Sequence, residues 1–458
     1  MNKYIAIILL IGILSGTSCR KYVEITPEQT KVLTDASDYQ SLLYNTTKIE
    51  PAYYYPIFSG DDIGTTELTW QNSLFGAAVG AYTWSEKYYG STEEDQDWSN
   101  AYSRIFIYNT VIDGVMGSVG NDAEKKKALS SALVHRAFDY FTLVNMYSKQ
   151  YDPATASTDL GVPLLLHPKF LTDLTRPSVQ AVYDQIKADL NAAIPELPVS
   201  PDVNTNPSKA SAYAIMARVC LNTREFSEAE RYADLSLGLK STLLDLNVYK
   251  ATNNPVVPFP TRTFNPEELL VKRTTTYPTS FPLSADAESM YDKTNDLRYT
   301  LFTTPGASAA ASNFILSRAY IRFRLANDGS YVGPSVPEVM LIKAECEARA
   351  GNTSATLGIL NTFRKKRYNN EATYVDLTAG SPDVALHLVI DERKREFLGR
   401  GFRWFDQRRL AKDVGFVSTV TRVFKTVTYT LAPGSNRYVY PIADKYIALN
   451  PEITQNPR

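Results

Sequence analysis

Two groups of carboxylates stand close enough in the chain to suggest acid–base chemistry: Asp61-Asp62, and Glu93-Glu94-Asp95 with Asp97. A pair of carboxyl groups astride a glycosidic bond is the usual machinery of glycoside hydrolysis. Both groups lie in polar, turn-like stretches, where solvated side chains are the ordinary outcome, and sequence spacing alone does not make two groups converge. The remaining catalytic repertoire is thin. His135, His167 and His387 are widely scattered, which leaves few proton relays. No HExxH, P-loop, G-x-S-x-G elbow or post-strand G-x-G-x-x-G occurs. Cys19, Cys220 and Cys346 form no CxxC pair, so neither a structural zinc site nor a cofactor is expected. Cys220 and Cys346 sit in alanine-rich helical stretches and read as small buried hydrophobes, with a disulfide between them left open. No catalytic and no metal-binding residue is assigned.

The residues that stand out suit noncovalent work. Aromatics make up 12% of the chain, with 30 Tyr against 19 Phe and 4 Trp. The apolar C–H face of a sugar ring lies on an aromatic plane, and its hydroxyls need amide, carboxylate or guanidinium partners. Residues 53–98 offer both kinds of group in poorly periodic sequence. Trp70 and Trp84 are the first choices as stacking platforms, Asp62 and Asn72 as polar partners, with Tyr55 and Tyr88 beside them. Tyr277, Tyr291 and Tyr331 are weaker candidates. Trp98 opens a helix and reads as core.

The elements that would hold such a surface are mostly helical. The chain has 458 residues, and Lys+Arg 48 against Asp+Glu 49 gives no electrostatic footprint for nucleic acid. Asn2-Lys3, an apolar run from Tyr4 to Leu14 and small residues before Cys19 have the layout of a secretory signal. Residues 1–18 are expected to be removed, leaving Cys19 lipidated at the head of a tether over 19–35 and a single domain over 36–458. Acyl chains hold such a protein on a membrane at ~0.8 kcal/mol per buried methylene. Helical spacing predicts helices over 37–43, 97–116, 123–147, 179–194, 208–221, 227–237, 337–350 and 353–367. Small residues at Ala217, Ala229, Ala344 and Gly351 give these pairs a tetratricopeptide-like pattern, so they must stack to bury their faces. The repeats fall mainly in 97–240 and 337–412. Stretches of about 50–96 and 240–335 read as loop-rich inserts, with a strand at Ile321, Phe323 and Leu325. The run over 391–409 interleaves acids and bases at helical spacing and reads as a structural ion-pair network, with Gly401 ending a helix and Trp404-Phe405 entering the core. Residues 413–458 read as short strands and an extended tail.

The run Asp391-Glu392-Arg393-Lys394-Arg395-Glu396 followed by Arg400-Gly401-Phe402-Arg403-Trp404-Phe405-Asp406-Gln407-Arg408-Arg409 resembles a hallmark of the SusD/RagB family of Bacteroidetes outer-membrane lipoproteins. Further pieces match in order. They include the lipobox-like Cys19, His135 to Phe141 leading to Gly161-Val162-Pro163-Leu164, Asn295-Asp296-Leu297-Arg298, Pro337-Glu338-Val339, Tyr440-Pro441-Ile442 and Gln455-Asn456-Pro457. The resemblance implies a mostly α scaffold of tetratricopeptide-like helix pairs, with loop inserts on one side and a few short strands. It also implies a cell-surface binding lipoprotein that captures an oligosaccharide for a SusC-like TonB-dependent transporter in the outer membrane. The matching motifs belong to the scaffold and place no ligand contact. The competing readings are a lipoprotein glycosidase using the 61–97 carboxylates, and a peptide-binding or scaffold protein with no glycan ligand. Cys19→Ala is expected to release the protein from the membrane fraction; retention there would mean that acylation is not the anchor.

Overall fold

Side-chain caps decide where the long helices begin. In the computed structural model, which describes residues 32–169, 173–254, 256–275, 280–309, 312–326 and 328–458, Asp95, Asn121, Ser178 and Ser208 each accept backbone N–H bonds. They open the helices Gln96–Gly114, Asp122–Tyr147, Val179–Ala193 and Lys209–Asn222, satisfying donors the helix leaves open. The first described helix, Ala36–Leu43, starts at Asp35, whose N–H donates to the Asp38 carboxylate. Cys19, the signal segment and most of the tether lie outside the described residues.

The helices fold back in pairs. Lys209–Asn222 packs on Phe226–Leu239, and Val336–Arg349 packs on Thr353–Lys365. The second turn is made at Gly351, whose φ of 87° suits a residue with no Cβ. Phe226–Leu239 also packs on Val336–Arg349, which packs on Pro382–Glu396, so the stack continues past the long insert. Close approach rests on small side chains: Ala210, Ala214, Ala217, Ala229 and Ala233 are buried, and the Ser236 hydroxyl donates to the Ala210 carbonyl at 2.8 Å. One hydrophobic core runs from Ala36 to Ile453. Cys220 and Cys346 are both buried free thiols, so the disulfide left open by the sequence is not formed.

The inserts differ from expectation. Residues 50–96 contain the short helices Pro56–Ser59, Leu68–Ser73 and Ala77–Thr83 rather than only loops. Each is too short to show a period, and the last buries almost every residue, so no polar face marks it. Phe281–Pro282 and Thr303–Pro305 both pair antiparallel with Arg318–Tyr320 in a three-stranded sheet. The predicted strand at 321–325 is instead a 3₁₀ turn over Arg322–Arg324. Its alternation misleads because Arg322 does not face water: it is buried, with its guanidinium 5.1 Å from the Phe302 ring and 5.7 Å from Tyr331. A hairpin, Val420–Phe424 with Val427–Leu431, and a helix, Asp444–Leu449, complete the C-terminal part.

The charged run over 391–409 is interior, as an ion-pair network. The fully buried Arg298 reaches Asp296 at 2.7 Å, Glu392 at 2.7 Å and Glu396 at 3.0 Å. Glu392 also takes Arg364 and Arg395, and Glu396 takes Arg367, which continues to Glu267. A second group joins Arg409 to Glu345 and Asp406, with Arg393 on Asp406. Gly401 begins the helix Phe402–Leu410 rather than ending one; the preceding helix stops at Glu396. Gly399 and Gly401 turn the chain between the two with φ of 65° and 81°.

Burial alone would raise the Glu396 carboxyl, but the charges of Arg367 and Arg298 outweigh it and hold it at about 2. A carboxylate depressed in the folded state contributes stability that is present above its unfolded value, near 4.3, and is lost as pH falls through the folded value. The melting temperature should therefore drop between about pH 4 and pH 2. Glu396→Gln, which leaves Arg298 and Arg367 short of a counter-charge, should cost ~3–5 kcal/mol at neutral pH and flatten that acid slope. Chemical denaturation across pH measures both, and a variant as stable as the parent would rule out a structural role for the network.

Candidate ligand-binding cleft

The loop over residues 53–62 is held from behind. The Tyr54 and Tyr55 N–H groups donate to one oxygen of Asp97 at 2.9 and 3.0 Å. Asp97 is buried in the first turn of Gln96–Gly114, and burial, with the neighbouring charge of Asp95, pushes its carboxyl up to about 7. From the other side, the turn over 399–403 presses on the same loop. The Gly399 N–H donates to Asp62 at 2.9 Å, the Tyr53 hydroxyl donates to the Arg400 carbonyl at 2.9 Å, and Arg403 pairs with Asp61 at 2.7 Å. A Cβ on Gly401 would stand 2.9 Å from the Tyr53 ring and 3.0 Å from Pro56, so only glycine permits this approach.

In front of this loop lies a cleft of about 300 Å³. Tyr54, Tyr55, Phe58 and Trp70 form its aromatic wall, Phe75 its rim, and Ser73, Ser280 and Asn313 its polar edge. Tyr54 packs edge-on against Phe58 at 5.0 Å, and Trp70 against Tyr82 at 5.1 Å. The helix Leu68–Ser73 is pinned by Gln71, whose amide donates to the carbonyls of Thr65 at 2.8 Å and Val423 at 2.9 Å. Phe75 and Gly76 then bridge to Ala77–Thr83, with Gly76 at a φ of 55° and Phe75 83% exposed. The cleft thus joins a half-enclosed aromatic surface to neutral hydrogen-bonding groups. Such a lining suits an uncharged ligand with apolar faces and hydroxyls.

Comparison with known proteins fits this arrangement. A family profile described as "Starch-binding associating with outer membrane" matches residues 22–221, and a second, described as "SusD family", matches residues 336–458. The chain belongs to the SusD/RagB family. A SusD superfamily protein of Bacteroides thetaiotaomicron has the same fold, with a TM-score of 0.74 at 19% identity over 93% of this chain and 100% of that one. A SusD-like carbohydrate binding protein of Bacteroides vulgatus gives 0.69 at 21% identity over 92% and 98%. Surface glycan-binding protein A of Bacteroides fluxus gives 0.66 at 16% over 93% and 100%. In sequence, SusD-like protein P38 of Formosa agariphila is 24% identical over 123 residues, a match that spans 26% of this chain and 22% of that relative. No helix among the described residues is long and apolar enough to cross a membrane.

On this SusD/RagB scaffold, the residues singled out from sequence divide. Trp70 and Tyr55 wall the cleft, though they are only 3% and 8% exposed, and Asn72 is exposed on the same short helix as Trp70. Trp84, Asp62 and Tyr88 are corrected to interior roles. Trp84 is buried in a left-handed conformation, its indole N–H donates to the Ser59 carbonyl at 2.9 Å, and the Arg422 guanidinium lies 4.6 Å from its ring. Asp62 is buried against the Gly399 N–H, and its burial pushes the carboxyl up to about 6. Tyr88 packs on Tyr440 and against Gly80, away from the cleft. Tyr291 and Tyr331 are buried, with hydroxyls donating to the Arg395 carbonyl and to Asp328; Tyr277 lies outside the described residues.

The carboxylates considered for hydrolysis are engaged elsewhere. Asp61 pairs with Arg403 and Glu94 with Lys445, while Glu93 accepts the Gly90 N–H. Asp95 caps its helix and accepts the Tyr147 hydroxyl.

Sequence reasoning missed Phe75 and Arg422. The signal for Phe75 is a large aromatic followed by Gly76 and two alanines, between two apolar stretches. Arg422 donates to the carbonyls of Phe58, Gly60 and Ile63, fixing the loop behind the cleft, and nothing local in sequence announces it. Trp84→Ala should cost ~3–5 kcal/mol of stability, whereas Phe75→Ala should change it by less than about 0.5 kcal/mol. Thermal melts of the two variants separate core from platform, and equal losses would remove Phe75 from the surface role.

Proposed function

We propose that this chain is a lipid-anchored, cell-surface protein of the outer membrane that captures an oligosaccharide and passes it, unaltered, to a SusC-like TonB-dependent transporter. The observation that carries the reading is the cleft: edge-packed aromatic walls, an exposed Phe75 at the rim and neutral polar groups along one edge. A sugar ring placed there covers apolar surface on Phe75 while its hydroxyls meet Ser73, Ser280 and Asn313. Hand-over to a transporter and attachment through Cys19 rest on the family resemblance and the lipobox-like leader. None of the candidate acids lines this cleft, which favours capture over hydrolysis there, because a general acid must reach the glycosidic oxygen.

Calorimetry against a panel of oligosaccharides tests this directly. At least one glycan should bind, with no new reducing ends released over hours, and Phe75→Ala should weaken it about tenfold or more, equivalent to ~1.4 kcal/mol, without lowering the melting temperature. Turnover of a bound glycan, or affinity indifferent to Phe75→Ala, would sink the proposal.

A further inference from the structure

The cleft is uncharged to an extent the rest of the molecule is not. Charged residues make up 21% of the chain, yet no Asp, Glu, Lys or Arg occurs in residues 51–60, 68–85, 274–285 or 299–317, the four stretches that contain every lining residue. None of the lining side chains carries charge; the polar groups are the hydroxyls of Tyr54, Tyr55, Ser73 and Ser280, the Trp70 indole N–H and the Asn313 amide. The contrast is local. A neighbouring cleft of about 380 Å³, on the Tyr82 side of Trp70, is bordered by Asp61, Glu67, Asp286, Glu288 and Arg422.

Acidic groups hold backbone N–H groups of the wall segments. Asp97 stands directly behind Tyr54 and Tyr55, holding their N–H groups. The Glu67 carboxylate accepts the N–H groups of Ile315, Leu316 and Ser317, beside the segment that supplies Asn313. A uronate or sulfate entering the cleft would lose water, find no cation among the lining side chains, and lie near the Glu67 carboxylate. A neutral sugar pays none of these penalties and finds the same stacking faces.

We infer that this cleft selects electrically neutral oligosaccharides and rejects uronic-acid-bearing or sulfated ones. The inference rests on the glycan-capture reading above and narrows it to a substrate class. Neutral binding is held by stacking and dipoles, so its affinity responds little to salt, whereas an acidic glycan held by cations would be released by it.

The test is calorimetry with the full chain against neutral oligosaccharides (xylan, mannan, β-glucan and α-glucan fragments) and acidic ones (oligogalacturonate, oligoalginate and sulfated galactan fragments). Each is measured at about 20 mM and about 500 mM salt, salt levels that shorten the screening length several-fold. A neutral fragment should bind with less than about a twofold change in Kd between the two salts, and acidic fragments should bind about tenfold more weakly or not at all. Asn313→Lys, which places a cation on the rim, should admit an acidic fragment with an affinity that falls as salt rises. An acidic fragment that binds the parent protein best, and loses affinity on Phe75→Ala, overturns the neutrality while the cleft stands. Absence of binding to every glycan, or binding of apolar peptides alone, overturns this inference and the capture reading together.

Discussion

The structure depends on keeping its buried charges paired. Arg298, Arg367, Glu392 and Glu396 are withdrawn from water, and an ion left alone there would cost several kcal/mol. The observed arrangement avoids this by bringing together segments far apart in the chain: the helix Pro382–Glu396, the end of Thr353–Lys365, the Asp296–Arg298 turn and Glu267 in the long insert. Displacing any one of them strands a charge on the others. The network therefore acts less as a store of stability than as a condition on geometry, and it fixes where the chain must stand when it leaves Glu396.

That exit point matters because the next residues support the cleft. Two glycines in left-handed conformation turn the chain, and the turn offers the Gly399 N–H, the Arg400 carbonyl and the Arg403 guanidinium to the loop over 53–62. Asp97 grips the same loop from the first long helix, and Arg422 ties its carbonyls to the C-terminal hairpin. Loops of this kind carry functional surfaces when a rigid scaffold positions them. Here the scaffold reaches the loop from three directions, none of which uses the exposed face.

What could be read from the sequence follows from how local each interaction is. The long helices were legible because their caps and 3.6-residue period lie within a few residues of each other, as at Ser178 and Ser208. The charged character of 391–409 was legible as ion pairs for the same reason, but not its partners Arg298 and Arg367, which come from distant segments. Of the aromatic stretch over 53–98, Tyr55 and Trp70 wall the cleft. The individual roles were not legible. A tryptophan looks the same in sequence whether its indole N–H faces water or, like Trp84, the Ser59 carbonyl. An acidic doublet such as Asp61-Asp62 gives no hint that one member meets an arginine and the other a backbone N–H more than 330 residues away. Gly401 was read as a stop because glycine commonly ends helices; it serves here as a close-approach point opposite Tyr53.

The distribution of polarity makes sense of these errors. A soluble protein ordinarily places charge outside and large apolar groups inside, and choosing ligand contacts by residue type assumes that division. This chain departs from it in both directions. It buries arginines and carboxylates by the dozen in the scaffold, and it leaves Phe75 at 83% exposure on the rim of the cleft, with Leu316 at 84%, Ile315 at 66% and Leu68 at 55% on the segments that carry other lining residues. A single exposed apolar side chain carries little information. Here Glu67 holds the 315–317 backbone by three N–H bonds, so that the exposed Ile315 and Leu316 are kept in place by specific bonds. The bulkiest aromatics, Trp70 and Trp84, were drawn into the loop's own packing, and the outward face was left to the smaller Phe75. The side chains that build such a surface and those that meet its ligand are thus different residues, separated by one layer of packing.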